Sequence, residues 1–528
     1  MHPIPSKERR AARASLRALA LALVVSVFSA CSDAPSAPRD DALRLPALHA
    51  EPDPVRGGRI VDAEGREVLL RGVNVNALAE YWAFGDFPTV FPFGEEDAEQ
   101  IAAIGWSAVR LLLSWSRVEP EPGRYDEAYL DQVAVAVDLL ARRGVYTILD
   151  FHQDAWGPTL AARPDEACPP DQQPAFGWDG APGWATLDGG APRCTIGGLR
   201  ESSPAVVAAW DAFWRDDPGP DGVGIRTRYV AMVAHVAARF ARDPAVAGYD
   251  LMNEPNAFLP DALAALADLY GDALAAIRAA ERAAGGFPHL VLFEPSALWS
   301  AIGRGAPPDF PHDDDVVYAP HVYTGGFNGG PITREAFEIA REEAATFGGV
   351  PVLSGEWGSS PSRAENPDDP YFLVHQELQD EFRFGATLWT WRESCGDPHK
   401  AGDFRAGRIP EVWGEFEVDC RSNEIVGVRT ALVEQLTRGY VRAAPGRLVS
   451  LRWQHATGVL EASGEGAAAG VELLSFYPAR HGAPQTTSSG LSAIRTLAAP
   501  GGGLYVVARA EGGAWSLRVA PSASDTPG

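Results

Sequence analysis

Two glutamates stand where short apolar runs come to an end. In "YDLMNEPN" Glu254 follows Asn253 and precedes Pro255, and in "VPVLSGEWG" an apolar run leads straight to Glu356. Pro255 has no amide hydrogen for a sheet ladder and biases the residue before it toward an extended backbone, so Glu254 is expected on the lip of a strand. A carboxylate on a strand lip either solvates a loop or acts as a reagent. Two of them across one mouth suit a specific reaction: in retaining glycoside hydrolysis one carboxyl protonates the leaving oxygen while the other attacks the anomeric carbon, with the groups about 5 to 5.5 Å apart. A third glutamate, Glu294 in "FEP", has a similar setting but no preceding Asn, and a structural role is expected for it.

The elements that must hold such a pair are legible as a repeat. Short apolar runs end near Asn74, Leu113, Phe151, Met252, Phe293, His321, Ser354 and Trp389, which makes eight strands. Between them lie stretches such as "EEDAEQIAAIG", "YDEAYLDQVAVAVDLLARRG" and "ITREAFEIAREEAATFGG", apolar at three-and-four spacing and closed by Gly. Strand alternating with helix eight times predicts a (β/α)8 barrel, in which chemistry gathers at the C-terminal strand ends. Counted this way, Glu254 ends the fourth strand and Glu356 the seventh. Residues 157–223 are too long for an ordinary connection and carry Trp178, Trp184, Trp210 and Trp214, so they are expected to lie over the catalytic face. Past residue 440 the helical period gives way to alternation with turn signals, which predicts a small β-sandwich. The expected division is a leader at 1–30, a tether at 31–56, the barrel at 57–440 and the sandwich at 441–528.

The formal charge of −25 argues against nucleic acid or anionic headgroups as partners and for a neutral substrate. Lys7, Arg9, Arg10, Arg13 and Arg17 precede an apolar run at 18–28, and "VFSAC" closes it in the manner of an export signal. The ending is similar to a bacterial lipobox, which implies a lipidated Cys31 as the mature N-terminus and attachment to a membrane; simple cleavage and secretion is the alternative. In an oxidising compartment the other cysteines can pair, and their order favours Cys168 with Cys194 and Cys395 with Cys420, among three connectivities. None has the close spacing of a zinc knuckle. No metal or cofactor is expected, and a monomer is.

The motifs taken together resemble glycoside hydrolase family 5 over residues 59–429. "LRGVNVN" looks like the family's first strand. By that resemblance Arg110 in "SAVRLLLSW" braces the nucleophile, Asn253 meets the sugar 2-hydroxyl, Glu254 is the acid/base and Glu356 the nucleophile. His321 and Tyr323 in "APHVYT" surround Glu356, and Trp389 in "ATLWTW" is the sugar platform, with Trp391 its competitor. The roles imply a raised proton affinity at Glu254, from burial and a neighbouring carboxylate, and an ionised Glu356 beside Arg110.

Within the family, "DFHQDAWG" and "WTWRESCGDPHK" look most like the endoglycoceramidase branch, whose members cut between oligosaccharide and ceramide, and His152 and Asp154 would then hold sugar hydroxyls. Tyr81, Trp82, Phe84, Phe87, Phe91 and Phe93, in the loop after the first strand, either form an apolar lip for a lipid or pack beneath the long insertion. The branch carries a Lys soon after the first strand, where this chain has Asn76. A secreted endo-β-glucanase, mannanase or β-glucosidase is the alternative within the family, and an inactive carbohydrate-binding lipoprotein the alternative outside it.

Overall fold

The computed structural model describes residues 44–522. Eight parallel strands form the barrel: β1 (Arg71–Val75), β2 (Ala108–Ser114), β3 (Tyr146–His152), β4 (Val246–Asp250), β5 (Leu290–Phe293), β6 (Val316–Tyr318), β7 (Leu353–Trp357) and β8 (Gly385–Leu388). Each pairs in parallel with its sequence neighbour, β8 pairs with β1, and a bridge from Tyr318 to Val352 joins β6 to β7 and closes the ring. These strands are buried along their whole length, as expected where helices cover one face and the barrel interior the other.

The covering helices follow from the apolar spacing. In the helix Glu127–Ala141, Asp126 caps the start by accepting from the Tyr129 amide, and Tyr129, Leu130, Val133, Ala136, Val137 and Leu140 form the buried stripe. Gly144, at φ 71°, takes the left-handed turn that sends the chain into β3.

The sandwich draws on both ends of the described chain. One sheet of seven strands contains Tyr440–Pro445, Glu472–Tyr477, Leu491–Ala498 and Leu504–Ala510 together with Leu48–Glu51, Arg59–Asp62 and Arg66–Val68. The hairpin Arg59–Val68, which leads in sequence into the first barrel strand, therefore belongs to the sandwich sheet, through Arg66–Val68 paired with Ala443–Pro445. The second sheet comprises Arg447–Gln454, Val459–Ala467, Gly513–Pro521 and Pro484–Ser489. Its Trp453 is buried against Tyr477 and His481 as part of the sandwich core. The sandwich core runs on into the floor of the barrel, where Tyr440, Phe476 and Tyr505 share one apolar cluster with Ala108, Ile148, Leu292 and Leu353. Among the described residues, no helix is long and apolar enough to cross a membrane.

Candidate active site

Arg110 stands at the centre of the barrel mouth. It projects inward from the middle of β2, is fully buried, and is met from every side: Asp150 at 2.9 Å, Asp250 at 2.8 Å, Glu294 at 2.9 Å and Glu356 at 3.0 Å. It also donates to the Asn74 and Asn253 side-chain oxygens, each at 3.1 Å. One guanidinium thus fixes side chains from β1, β3, β4, β5 and β7, and its fork geometry is what makes that possible. Burial works against its charge, but the four carboxylates outweigh it and hold the proton more firmly than usual.

Glu356 sits within β7. Its Oε1 accepts from Arg110 and its Oε2 from the Tyr323 hydroxyl at 2.8 Å, with His321 Nδ1 3.6 Å away. Glu254 lies just past β4, and its backbone is at φ 38°, in the left-handed region rather than the extended one that Pro255 favours. Four contacts hold it there: its amide donates to Glu294 at 2.9 Å, its carbonyl accepts from Gln153, and its Oε1 accepts from Ser300 and faces His321 Nδ1 at 3.0 Å. One carboxylate oxygen each from Glu254 and Glu356, with one ring nitrogen of His321, all lie within 4.8 Å of one another.

The cavity between the two glutamates has a volume of about 440 Å³ and is lined by His152, Asp154, Asn253, Tyr323 and Trp389 among the residues singled out from the sequence. His152 donates Nδ1–H to Asp150 at 2.7 Å and stacks its ring on Trp389 at 5.5 Å, and burial lowers its pKa to about 4, so the imidazole is neutral. Trp391 lies elsewhere, its indole nitrogen donating to Asp97 and its ring packed on Trp106 and Phe416. Of the insertion's tryptophans, Trp178 lines the cavity, whereas Trp184, Trp210 and Trp214 join Trp115, Trp156 and Phe213 in an aromatic core. The loop after β1 is half-buried: Trp82 packs on Phe176 of the insertion, Phe84 on Phe404, and Phe87 on the Cys395–Cys420 cluster. The exposed aromatic at the rim is Phe327, stacked on Tyr323 at 4.3 Å and beside Trp413 at 6.3 Å. Cys168 is bonded to Cys194 and Cys395 to Cys420; Cys31 lies outside the described residues.

Sequence reasoning missed several side chains that complete the site. Arg200, on the insertion, reaches Asp154 at 2.6 Å and Glu254 at 3.2 Å. Lys400, paired with Glu393, and His399, paired with Asp397 at 2.7 Å, line the cavity from the segment after β8. A lysine is therefore present in this cavity, although none follows the first barrel strand. Asp250, the last residue of β4, and Ser300, in the short helix Leu298–Ile302, had no signal beyond being polar. Glu294 does not line the cavity; it props Arg110, His321 and the Glu254 amide from below.

The electrostatics of this state differ from the expectation. Burial would raise Glu254, but the His321 hydrogen bond and charge, Arg200 and Ser300 bring it down to about 2. Glu356 is instead raised, because burial outweighs His321 and Arg110 and Glu254 adds its charge. Glu294, buried and near Asp250, is raised to about 8. Burial disfavours a charged His321, yet Glu294, Glu356 and Glu254 around it push its pKa well above the imidazole range. A doubly protonated ring has no lone pair to offer, so His321 in this state donates to the glutamates on either side of it.

A family model described as cellulase, glycosyl hydrolase family 5, matches residues 61–394. An endoglycoceramidase I from Rhodococcus hoagii (strain 103S) is 32% identical over 291 residues, which is 51% of this chain and 52% of that one. The chain thus spans about half the length of that curated relative, and 39% of the Hydra vulgaris endoglycoceramidase. A crystal structure of an endogalactoceramidase is 39% identical with a TM-score of 0.78, covering 90% of this chain and 100% of that one. Endo-glycoceramidase II from Rhodococcus sp., solved as a lactosyl-enzyme intermediate, is 26% identical with a TM-score of 0.66 over 88% of this chain and 99% of that one. The family match spans well over half of the chain, from the sandwich hairpin through the eighth barrel strand to the loop beyond it, and the chain belongs to glycosyl hydrolase family 5.

Proposed function

We propose that the protein is a retaining endo-β-glycosidase that cleaves the linkage between an oligosaccharide and the ceramide of a glycosphingolipid. The observation that carries the mechanism is the approach of Glu254 and Glu356 oxygens within 4.8 Å, the spacing of a nucleophile and an acid rather than that of a pair with a water between them. Glu254 gives a proton to the glycosidic oxygen as Glu356 attacks the anomeric carbon, so the aglycone leaves as an alcohol and a glycosyl ester forms on Glu356. Water then attacks the same carbon, gives its proton to Glu254 and frees Glu356, and two inversions restore the starting configuration. Arg110 and Tyr323 hold the nucleophile oxygens. Trp389 offers a face to the sugar, and His152, Asp154 and the free amide hydrogen of Asn253 offer hydroxyl partners.

The glycolipid reading is supported by the relatives named above and by the apolar rim, where Phe327, Leu199 and Trp413 border a cavity whose deeper walls combine Trp178 and Trp389 with charged side chains. An export signal at 1–30 with a lipidated Cys31 would carry the enzyme out of the cytoplasm and hold it at a membrane surface. The test is digestion of defined glycosphingolipids, with cello-oligosaccharides in parallel, by protein lacking residues 1–31, products being identified by mass. Intact oligosaccharide plus free ceramide is the expected result. Cleavage of cello-oligosaccharides alone would keep the two-glutamate chemistry and remove the lipid.

A further inference from the structure

The two oxygens of Glu254 have unequal surroundings. Oε1 is engaged by Ser300 and His321 deep in the site, whereas Oε2, the oxygen left to meet a glycosidic oxygen, is met among the described residues by Arg200 alone at 3.2 Å. Arg200 comes from the insertion, not from the barrel. The strand Cys194–Ile196, tied by its disulfide to Cys168, is followed by Gly197 and Gly198, both left-handed at φ 60° and 79°, and these turn the chain so that the short helix Arg200–Ser202 faces the mouth. The guanidinium lies over the Trp178 ring at 4.9 Å, ion-pairs through Nη1 with Asp154 at 2.6 Å and through Nε with Glu201, and spends only Nη2 on Glu254.

The geometry points to Arg200 as a positioning residue for the acid/base, one that holds Glu254 Oε2 before substrate binds and yields that oxygen when the leaving group arrives. This rests on the assignment of Glu254 as acid/base. Of its three carboxylate contacts the one to Glu254 is the longest, so Arg200 can give it up and remain anchored by Asp154 and Glu201. Giving it up removes a cation from beside Glu254, which raises the carboxyl's proton affinity in the direction an acid needs. Once the aglycone has left, Arg200 can return and favour the carboxylate, the form that takes a proton from water. The other groups facing Glu254 do not offer this exchange. His321, from the segment after β6, is locked between Glu254, Glu294 and Glu356; Glu294, from the end of β5, holds the main-chain amide; Glu356, from β7, is the reaction partner; Ser300 and Tyr323 carry no charge. The low pKa of Glu254, about 2 in this state, has Arg200 among its causes.

The experiment is the pH dependence of kcat/KM for Arg200→Ala and Arg200→Lys on a glycoside with an alkyl leaving group, which requires the acid. Glu254 is the more acidic of the two glutamates in this state, so the low-pH limb reports its titration in the free enzyme, and that limb is expected to move up by about one pH unit in Arg200→Ala and to stay near wild type in Arg200→Lys. A fluorinated dinitrophenyl glycoside, whose leaving group needs no acid, is expected to label Glu356 to completion in both variants, which shows a folded site. Arg200→Gln replaces the alanine variant if that one fails to fold. An unmoved limb, or a rise in KM with no movement of the limb, overturns the proposal. Glu254→Gln run alongside separates the two failures: if it is inactive while Arg200→Ala leaves the limb in place, only the role of Arg200 falls, and if it keeps full activity the acid/base assignment falls with it.

Discussion

At Glu254 and Glu356 the chain announces its chemistry locally, because a strand-end carboxylate needs a recognisable neighbour on each side. Asn253 and Pro255 supply them in one case and an apolar run with Gly355 in the other. Arg110, His321 and Tyr323 around them were also named from their motifs, but the rest of their surroundings was not legible. Asp150, Asp250, Ser300 and Arg200 come from four separate segments and converge only in three dimensions, and with them the charge balance changes sign: His321 between three glutamates keeps Glu254 ionised and leaves Glu356 the more basic of the pair. A buried acid outside the site shows the same physics in a simpler setting. Glu415 is 1% exposed with both carboxylate oxygens unpartnered, and burial raises its pKa well above the usual range. Its folded-state pKa is above the unfolded one, so its contribution is fully present below about pH 4.3 and is lost as pH rises toward the folded value, at about 1.4 kcal/mol per pH unit. Glu415→Gln has no proton to lose. Its melting temperature relative to wild type should therefore climb steadily from pH 5 to pH 8 in thermal scans, and a constant difference would mean that the carboxyl is ionised in the folded protein.

The eight barrel strands stand where the apolar runs placed them, because a parallel strand covered on both faces must be apolar almost throughout and so marks itself. The connecting segments were harder to read, since an aromatic residue in a loop says nothing about which surface it will meet. Of the aromatics after β1, Phe84 and Phe87 are packed against Phe404 and the Cys395–Cys420 cluster, and Phe91 lies under the Arg392 guanidinium. Phe327, which carried no motif, stands 63% exposed at the rim beside Trp413. If the substrate is the glycolipid proposed above, the loop after β6 is the element that would meet its aglycone chain. Phe327→Ser should lower kcat/KM for a long-chain glycolipid by about tenfold, the scale expected when one aromatic ring is taken from an apolar binding surface, while a soluble aryl glycoside changes little. Equal losses on the two substrates would assign Phe327 to holding Tyr323 in place rather than to touching lipid.

The molecule as a whole is tied together from its two ends. Alternation at 59–68 marks a hairpin with Gly65 at its turn but cannot say which sheet it joins, because a period of two names no partner; the structure pairs it with Tyr440–Pro445 and so closes the sandwich under the barrel floor. Leu48, Ile60, Val61 and Val68 are all 6% exposed or less in that sheet, and each is worth about 1.5 to 3 kcal/mol of burial. Their sum is comparable to the whole stability of a typical domain, about 5 to 15 kcal/mol. A chain beginning at residue 69 should therefore be insoluble or melt far below one beginning at residue 44, and an equal melting temperature would show that the sandwich closes without them. Such a platform, continuous with the barrel interior, fixes the strand ends that carry the two glutamates. The claim that these two act as nucleophile and acid/base is tested most directly by incubating the protein with a fluorinated glycoside bearing a good leaving group, then digesting it and mapping the labelled peptide by mass. A single glycosyl ester on Glu356, formed in wild type and absent in Glu356→Gln, is the predicted result; a label on any other residue, or product of inverted configuration with no labelled protein, would contradict it.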